Sequence, residues 1–379
     1  MSYKFIYIDD TNDKVEQGTI HGLEATGEIK IDFSTPVEWE AQINQLTAAL
    51  PEANGLILDL RLNDNANEQG KVAMYRGSSI AQELRTLSKE NTIIKKDFPI
   101  ILLSANENMD KSLDQTGVDL FDKIVRKSDL GTEGSGISYL EFRDSLKWLS
   151  DGYNYLSASE RTLAAIMRIP EGVALDVRFV DYFNELLTKP VHVIARFLHK
   201  SVINRPGFLI DEDYLSARLG VDKASPDWQP LIEKYFAGFQ YQGAFSNYHK
   251  RWWMPLVEKF WEENISNDCP LRITSAARRV ELLKQKTDYQ ALVPHQRQPK
   301  SKSDTFWVAC KVTRVAIDTI DGFVIQEKGT TFEWQEREYI CINEALRPTA
   351  DKIAISPVEK ARLQQLKELF DKNEQRIRK

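Results

Sequence analysis

The sequence has few cysteines and no long apolar segment. Its 379 residues include Cys269, Cys310 and Cys341, which are odd in number, widely spaced and without a C-x-x-C pair. We therefore expect neither a disulfide framework nor a zinc ribbon. No run of about 18 apolar residues occurs, and the N-terminus lacks a basic flank followed by an apolar run and a small-residue cleavage site. These absences argue against a membrane span and a signal peptide, so we expect a cytoplasmic protein.

Positive charge is scarce in the first third of the chain. Residues 1–130 hold 14 Lys and Arg against 22 Asp and Glu, whereas residues 131–379 hold 36 against 34. Because contacts to nucleic-acid phosphates need Lys and Arg, the first third is not expected to bind nucleic acid. An apolar content of 42% and a charged content of 28% are ordinary for a globular protein. The length predicts two or three domains.

The first 130 residues alternate short apolar segments with polar, helix-compatible ones. The predicted strands are Lys4–Ile8, Ile29–Phe33, Gly55–Leu58, Pro99–Leu103 and Phe121–Val125. The predicted helices are Pro36–Leu50, Ser79–Ser88 and a shorter one near Met109–Thr116. Nearly continuous apolar strands with helices between them predict an α/β fold with a doubly wound, five-stranded parallel sheet.

Composition changes predict two boundaries and three domains. The glycine-rich segment GTEGSG, residues 131–136, is expected to end a first domain formed by residues 1–130. The second predicted domain, residues 137–293, is mostly helical and rich in aromatic side chains. After the polar segment 294–304, short β-rich segments and an amphipathic terminal helix predict a small antiparallel unit over residues 304–379.

Local signals predict where several later helices begin or end. Ser157 and Glu160 have the spacing of a capping box at a helix start. Gly220 is expected to stop the helix in DEDYLSARLG, and Pro255 either interrupts or begins the next helix. The terminal helix is expected to start after Ser356, in a second capping box.

Polar side chains stand at the carboxyl ends of four of the predicted strands. Asp9 and Asp10 end FIYIDD, Asp59 follows the third strand in LILDLRL, Ser104 follows the fourth, and Lys127 lies just past the fifth. Ligands of open α/β sheets bind beyond these ends, so the five side chains are expected to converge. Crowded carboxylates raise one another's pKa unless a cation is present, and Mg²⁺ with a phosphoryl group suits such a set.

This ordered set resembles the receiver domain of bacterial response regulators over roughly residues 1–130. The resemblance implies Mg²⁺ bound by Asp9, Asp10, Asp59 and the backbone carbonyl of Arg61, a phosphoryl group accepted by Asp59, and phosphoryl oxygens contacted by Ser104 and Lys127. In that chemistry a carboxylate attacks the phosphoryl donor while cations offset the charge of the transition state. A sensor kinase or another phosphodonor is then the expected partner.

The sequence also departs from the family pattern. Ser128 stands where members usually have proline, and Ile124 stands where they usually have an aromatic switch residue. The 44 residues between Asp59 and Ser104 are more than the family norm. Two hypotheses follow: a receiver that signals by phosphorylation, or a degenerate receiver that acts as a scaffold or adaptor. A purely structural alternative is that Asp9 and Asp10 cap a turn.

The last two thirds of the chain show no catalytic constellation, so we do not expect an enzyme. His192 and His199 share one helical face and are expected to pack. The acidic start of DEDYLSARLG either chelates a metal or, more in keeping with its place, complements the helix dipole. A receiver joined to a large unassigned module is similar in architecture to components of multi-gene bacterial signalling or antiviral defence systems. The C-terminal module is accordingly expected to engage a protein partner.

A third hypothesis concerns residues 247–303, where basic residues lie near tryptophans. Aromatic rings can stack on bases while Lys and Arg contact phosphates, so this segment allows nucleic-acid binding. The alternative is that Trp252, Trp253 and Trp261 belong to a core and that the basic residues form a solvated face or dock on the acidic receiver domain or a partner.

Overall fold

The computed structural model describes residues 2–11, 13–67, 70–90, 94, 96–105, 113, 115–131, 136–327, 329, 331–347 and 353–377. The chain divides into two compact units, residues 1–166 with 183–197 and residues 167–182 with 198–379. Most of the helix predicted near Met109–Thr116 lies outside the described residues, as does the centre of the predicted linker at 131–136.

A five-stranded parallel sheet forms the centre of the first unit. Its strands are β1 (Tyr3–Ile8), β2 (Ile29–Ser34), β3 (Gly55–Leu58), β4 (Ile100–Ser104) and β5 (Lys123–Arg126). They pair in the order β2-β1-β3-β4-β5, which is the flavodoxin-like doubly wound order. All residues of β3 and β4 are buried, because helices cover both faces of a parallel sheet. The predicted fold class is confirmed.

The α-helices of the described residues follow in chain order. They are α1 (Asp13–Glu24), α2 (Trp39–Ala49), α3 (Gly77–Glu90), α4 (Gln115–Val118), α5 (Tyr139–Ala158), α6 (Leu163–Met167), α7 (Val177–Leu186), α8 (Val191–Phe197), α9 (Glu212–Leu219), α10 (Trp228–Leu231), α11 (Met254–Phe260), α12 (Ala276–Lys286), α13 (Ile342–Ala345) and α14 (Lys360–Ile377). In this part of the chain, none is both long and apolar enough to cross a membrane. The sequence did not predict α1, because its segment DKVEQGTIHGLE has two glycines and only three apolar residues.

The helix α5 belongs to the first unit although it follows the glycine-rich segment. Ser138 caps it: the Ser138 hydroxyl accepts a hydrogen bond from the Glu141 backbone N–H, and the Glu141 carboxylate accepts one from the Ser138 N–H. The capping box predicted at Ser157 is wrong, since Ser157 lies in the last turn of α5. The compact first unit therefore extends past the predicted boundary at 131–136, because a glycine-rich run marks a loop as readily as a linker.

The second unit is mostly helical and contains short antiparallel strand pairs. Its strands are β6 (Leu209–Ile210), β7 (Trp252–Trp253), β8 (Val308–Ala309), β9 (Ala316–Ile317), β10 (Gly322–Val324) and β11 (Tyr339–Cys341). β6 pairs with β7, β8 with β9, and β10 with β11. The predicted small antiparallel elements near the C-terminus, followed by a helix, are thus confirmed.

Most of the predicted helix ends in the second unit are correct. α9 ends at Gly220, whose φ of 73° is left-handed and suits glycine, and the Asp211 side chain caps its start. Pro255 lies in the first turn of α11. Before α14, Ser356 makes no side-chain capping hydrogen bond, so the second predicted capping box does not form.

Tryptophans form much of the core of the second unit. Trp228, Trp252, Trp253 and Trp261 are all buried. The Trp252 indole N–H donates to the Phe236 carbonyl at 3.1 Å, as buried indoles usually require. Buried rings cannot stack on bases, so the nucleic-acid hypothesis for residues 247–303 loses its aromatic contacts.

Candidate functional site

The carboxyl edge of the sheet brings Asp9 and Asp59 close together. Ile8 and Leu58, the last residues of β1 and β3, are paired in register, and the Asp59 backbone N–H donates to the Ile8 carbonyl at 3.0 Å. Asp9 and Asp59 follow directly and are 0% and 6% exposed. Two buried carboxylates therefore stand at the ends of adjacent central strands, as the sequence predicted.

Asp59 holds its proton more tightly than an ordinary aspartate. Burial, and then the charge of Asp9, raise the pKa of Asp59 to about 6. A hydrogen bond from the Ser104 hydroxyl and the positive charge of Lys127 lower this pKa by less. The Arg61 backbone N–H also donates to Asp59 Oδ2, at 2.7 Å. Ser104 and Lys127 thus act on Asp59 from the ends of β4 and β5.

Lys127 lies between two buried carboxylates. Its Nζ is 2.6 Å from Asp9 Oδ2 and 2.7 Å from Glu16 Oε1. These ion pairs outweigh burial and raise the pKa of Lys127 above its usual value. The Tyr7 hydroxyl lies 2.9 Å from both Asp9 Oδ2 and Glu16 Oε2, although it has one proton to donate. We call Tyr7, Asp9, Glu16 and Lys127 the lysine clamp.

Asp10 contacts a different part of the chain from Asp9. Its Oδ2 accepts hydrogen bonds from the backbone N–H groups of Asp64 and Asn65, at 2.8 and 2.7 Å. Asp10 therefore holds the long connection between β3 and α3, much as the structural alternative for this residue proposed. The adjacent carboxylates of FIYIDD thus have different partners: Asp9 binds an ammonium and Asp10 binds backbone amides.

The residues in this arrangement do not fit a preassembled Mg²⁺ site. Asp9 Oδ1 accepts from the Thr11 N–H at 2.9 Å, and Asp9 Oδ2 contacts Tyr7 and Lys127, so both oxygens are engaged. Among the described residues, no group of three or more Asp, Glu, His or Cys side chains is placed to hold a metal ion. The Lys127 ammonium supplies positive charge at Asp9, where Mg²⁺ was expected to supply it.

Sequence reasoning missed Glu16 and Tyr7. Glu16 lies in α1, which the sequence did not predict, and Tyr7 looked like one more buried residue of an apolar strand. Two sequence features could have indicated them: the phenol of Tyr7 inside the apolar run FIYI, and the acid Glu16 seven positions after Asp9. Neither specifies a contact until the fold brings Glu16 of α1 to Lys127, just past β5.

A glycine lets α3 begin against the strand that carries Asp59. A Cβ atom at Gly77 would collide with the backbone oxygen of Asp59. The Gly77 N–H donates to the Leu60 carbonyl at 3.0 Å, which closes the connection after β3. The close packing of Gly77 against the Asp59 backbone therefore holds the end of β3 in place.

Asp59→Asn is expected to stabilise the first unit at pH 7.5, by up to about 3 kcal/mol. The folded pKa of Asp59, about 6, is above its ordinary value of 3.8, so the folded state binds the proton more tightly. Wild-type stability then falls as the pH rises from about 4 to 6, and asparagine removes that penalty. Hydrogen exchange of the sheet peptides at pH 4 and 7.5 measures the stability difference between Asp59→Asn and the wild type. An equal stabilisation by Asp59→Asn at both pH values would contradict the raised pKa of Asp59.

No protein-family model matches the sequence, and neither does any curated protein. Among solved structures, a CheY-like response regulator receiver domain from Methylobacillus flagellatus is 16% identical and covers 39% of this chain and 99% of its own, with a TM-score of 0.27. A second similar structure is the receiver domain of a sensor histidine kinase from Pseudomonas aeruginosa, with a magnesium ion coordinated in its active site cleft. It is 14% identical and covers 40% of this chain and 98% of its own, with a TM-score of 0.27. A third is a response regulator from Burkholderia pseudomallei with a phosphorylated aspartic acid, calcium ion and citrate. It is 16% identical and covers 52% of this chain and 92% of its own, with a TM-score of 0.25.

The first unit has the fold of a response-regulator receiver domain. This assignment rests on the parallel strand order β2-β1-β3-β4-β5 with flanking helices, an order that CheY shares. The second unit matches no recognised family.

Proposed function

We propose that this protein is a response-regulator-like signalling protein whose first unit accepts a phosphoryl group on Asp59. One observation carries the proposal: a buried carboxylate at the end of the central strand, hydrogen-bonded by the Ser104 hydroxyl and acted on by the charge of Lys127. These are a nucleophile, a hydrogen-bond donor and a cation at one edge of the sheet. A sensor kinase or another phosphodonor would supply the phosphoryl group.

The proposed step is attack of an Asp59 carboxylate oxygen on the phosphorus of the donor. The new O–P bond forms as the bond from phosphorus to the leaving group breaks, and the leaving group departs with the bonding electrons. The phosphoryl group brings negative charge close to Asp9, which is 0% exposed. Lys127 is placed to offset that charge once it shifts from Glu16 toward the new anion.

The direct test is labelling of the full chain with a small phosphodonor, acetyl phosphate, followed by intact mass spectrometry. We expect addition of one phosphoryl group to the wild type and none to Asp59→Asn. Asp64→Asn is the matched control, because Asp64 is an exposed carboxylate in the connection that follows. Labelling that persists in Asp59→Asn, or an unlabelled wild type, would overturn the proposal. If the wild type is not labelled, the protein is better explained as a scaffold or adaptor with a degenerate receiver.

The same reaction with and without EDTA measures any requirement for Mg²⁺. The sequence predicts such a requirement, whereas the engaged oxygens of Asp9 do not support it. Labelling that survives EDTA would indicate that Lys127 supplies enough positive charge by itself.

We also propose that the second unit passes the signal to a protein partner. Its separate core supports a role as an output module with its own surface. Hydrogen exchange of labelled and unlabelled protein tests whether the two units are coupled. We expect altered exchange in peptides of the second unit. A change confined to the first unit, residues 1–166 and 183–197, would contradict this output role.

A further inference from the structure

The first unit also contains a basic cleft at the amino edge of its sheet. Asp97 precedes β4 and Asp119 precedes β5, so the cleft lies at the opposite ends of the strands from Asp59. Its volume is about 1070 Å³, large enough for a small-molecule ligand. We call it the amino-edge cleft; its charged lining residues are Arg85, Lys89, Asp97, Asp119, Arg161, Lys189 and Arg196.

Positive charge dominates this cleft, although the surrounding sequence is acidic. Among the described residues, five Lys and Arg line it against two Asp. Both aspartates already have cationic neighbours: Asp97 Oδ1 lies 2.8 Å from Arg85 Nη1, and Asp119 Oδ1 lies 3.9 Å from Arg196 Nε. The lining carboxylates are therefore engaged by Arg85 and Arg196 and do not neutralise the other three cations.

Lys89, Arg161 and Lys189 are the cations that remain. Arg161 Nη1 donates to the backbone carbonyls of Leu187 and Lys189, at 3.1 and 2.7 Å, which fixes its guanidinium without neutralising it. Within the described residues, none of the three has an ion-pair partner. Three uncompensated cations on one concave surface attract an anion with more than one charge.

His192 adds a hydrogen-bonding group in a fixed orientation. Asp97 Oδ2 lies 2.7 Å from both the His192 backbone N–H and its Nδ1. Because the carboxylate only accepts hydrogen bonds, Nδ1 carries a proton and donates it. The Asp97 carboxylate is itself held by Arg85, which is 5% exposed. The buried ion pair of Asp97 and Arg85 thus fixes the orientation of the His192 ring in the cleft lining.

We propose that the amino-edge cleft binds a small molecule that carries two or more phosphate groups. Separate cations suit separate phosphates, and the hydroxyls of Thr86, Ser88 and Thr188 in the lining can donate to further oxygens. None of the described lining residues is Phe, Tyr or Trp, so the proposed recognition is of the phosphates and not of a stacked base. This site does not depend on phosphorylation of Asp59.

The test is calorimetric titration of the full chain with inorganic tripolyphosphate. Lys89→Glu and Lys189→Glu are each expected to weaken binding about tenfold or more, because each reverses a charge that contacts phosphate. Both lysines are exposed, so the variants are expected to fold. Lys30→Glu is the matched control, since Lys30 is exposed on β2 and lies outside the cleft lining.

Three outcomes would overturn the proposal. The first is no binding of tripolyphosphate by the wild type at millimolar concentration. The second is an equal loss of affinity in Lys30→Glu, which would mean attraction by overall charge. The third is tighter binding of a glutamate-rich peptide than of tripolyphosphate, which would identify an acidic protein segment as the ligand. Weaker binding of inorganic monophosphate than of tripolyphosphate would support recognition of several phosphates.

Discussion

Replacing Arg85 with methionine is expected to lower the free energy of unfolding of the first unit by about 3–5 kcal/mol. The Arg85 guanidinium lies 2.8 Å from Asp97 Oδ1 and 2.9 Å from Asp122 Oδ2, and all three side chains are about 5% exposed. It also donates to the Phe98 carbonyl at 2.7 Å. Methionine has a similar length but no charge, so it leaves two buried carboxylates without a cation.

Hydrogen exchange of the β4 and β5 peptides measures this loss within the first unit. Arg61→Met is the matched control, because Arg61 is half-exposed and, of the residues that the structure describes, its side chain pairs with Asp64 at the surface. An exposed pair of this kind contributes about 0–1 kcal/mol. A change in Arg85→Met no larger than in the control would show that the buried network contributes little.

The buried ion pair of Arg85 and Asp97 also makes the free energy of unfolding depend on pH in acid. Burial raises the pKa of Asp97, but Arg85 and His192 outweigh it and hold the pKa at about 2. This folded pKa is below the ordinary value of 3.8, so Asp97 contributes stability above about pH 4 that is lost as the pH falls toward 2. In Arg85→Met this acid-side loss is expected to be smaller, because without the guanidinium the folded pKa of Asp97 moves up toward its ordinary value.

Replacing Lys127 with methionine is the second large change, and we expect a loss of about 3–5 kcal/mol. Lys127 Nζ is the cation between Asp9 and Glu16, whose side chains are almost fully buried. Without it, two carboxylates share the single proton of the Tyr7 hydroxyl. Labelling of Asp59 is expected to fall as well, since Lys127 would no longer offset the charge of the phosphoryl group.

A double variant separates the electrostatic effect from simple loss of packing. Glu16→Gln removes one of the two carboxylates, so Lys127→Met with Glu16→Gln is expected to recover at least about 1 kcal/mol of the single-variant loss. Additive effects of the two substitutions would contradict the lysine clamp. Labelling of Glu16→Gln alone tests whether Glu16 restrains Lys127: we expect labelling at least as fast as in the wild type.

Strands were easier to predict than helices in the first unit. The strands β1, β3 and β4 are nearly continuous apolar runs that end in polar residues, and their predicted positions agree with the structure within one residue. The helix α1 has no strong periodic pattern, and its place is decided by packing against its neighbours β2 and α5. Local sequence carries little information about an element that tertiary contacts stabilise.

The sequence by itself determined which residues stand at the carboxyl edge of the sheet. A parallel sheet places the ends of its strands together, so Asp9, Asp59, Ser104 and Lys127 could be assigned to one edge from their order alone. It also determined that Gly220 ends a helix, because a left-handed residue is needed there.

Only the tertiary structure decided what those side chains bind. Glu16 arrives from α1 and takes one side of Lys127, while the connection after β3 presents two amides to Asp10. The amino-edge cleft likewise combines the end of α3 and Asp97, which precedes β4, with the start of α8, which is distant from both in sequence. Such contacts depend on side-chain directions across the fold, and strand order specifies positions along an edge without specifying partners.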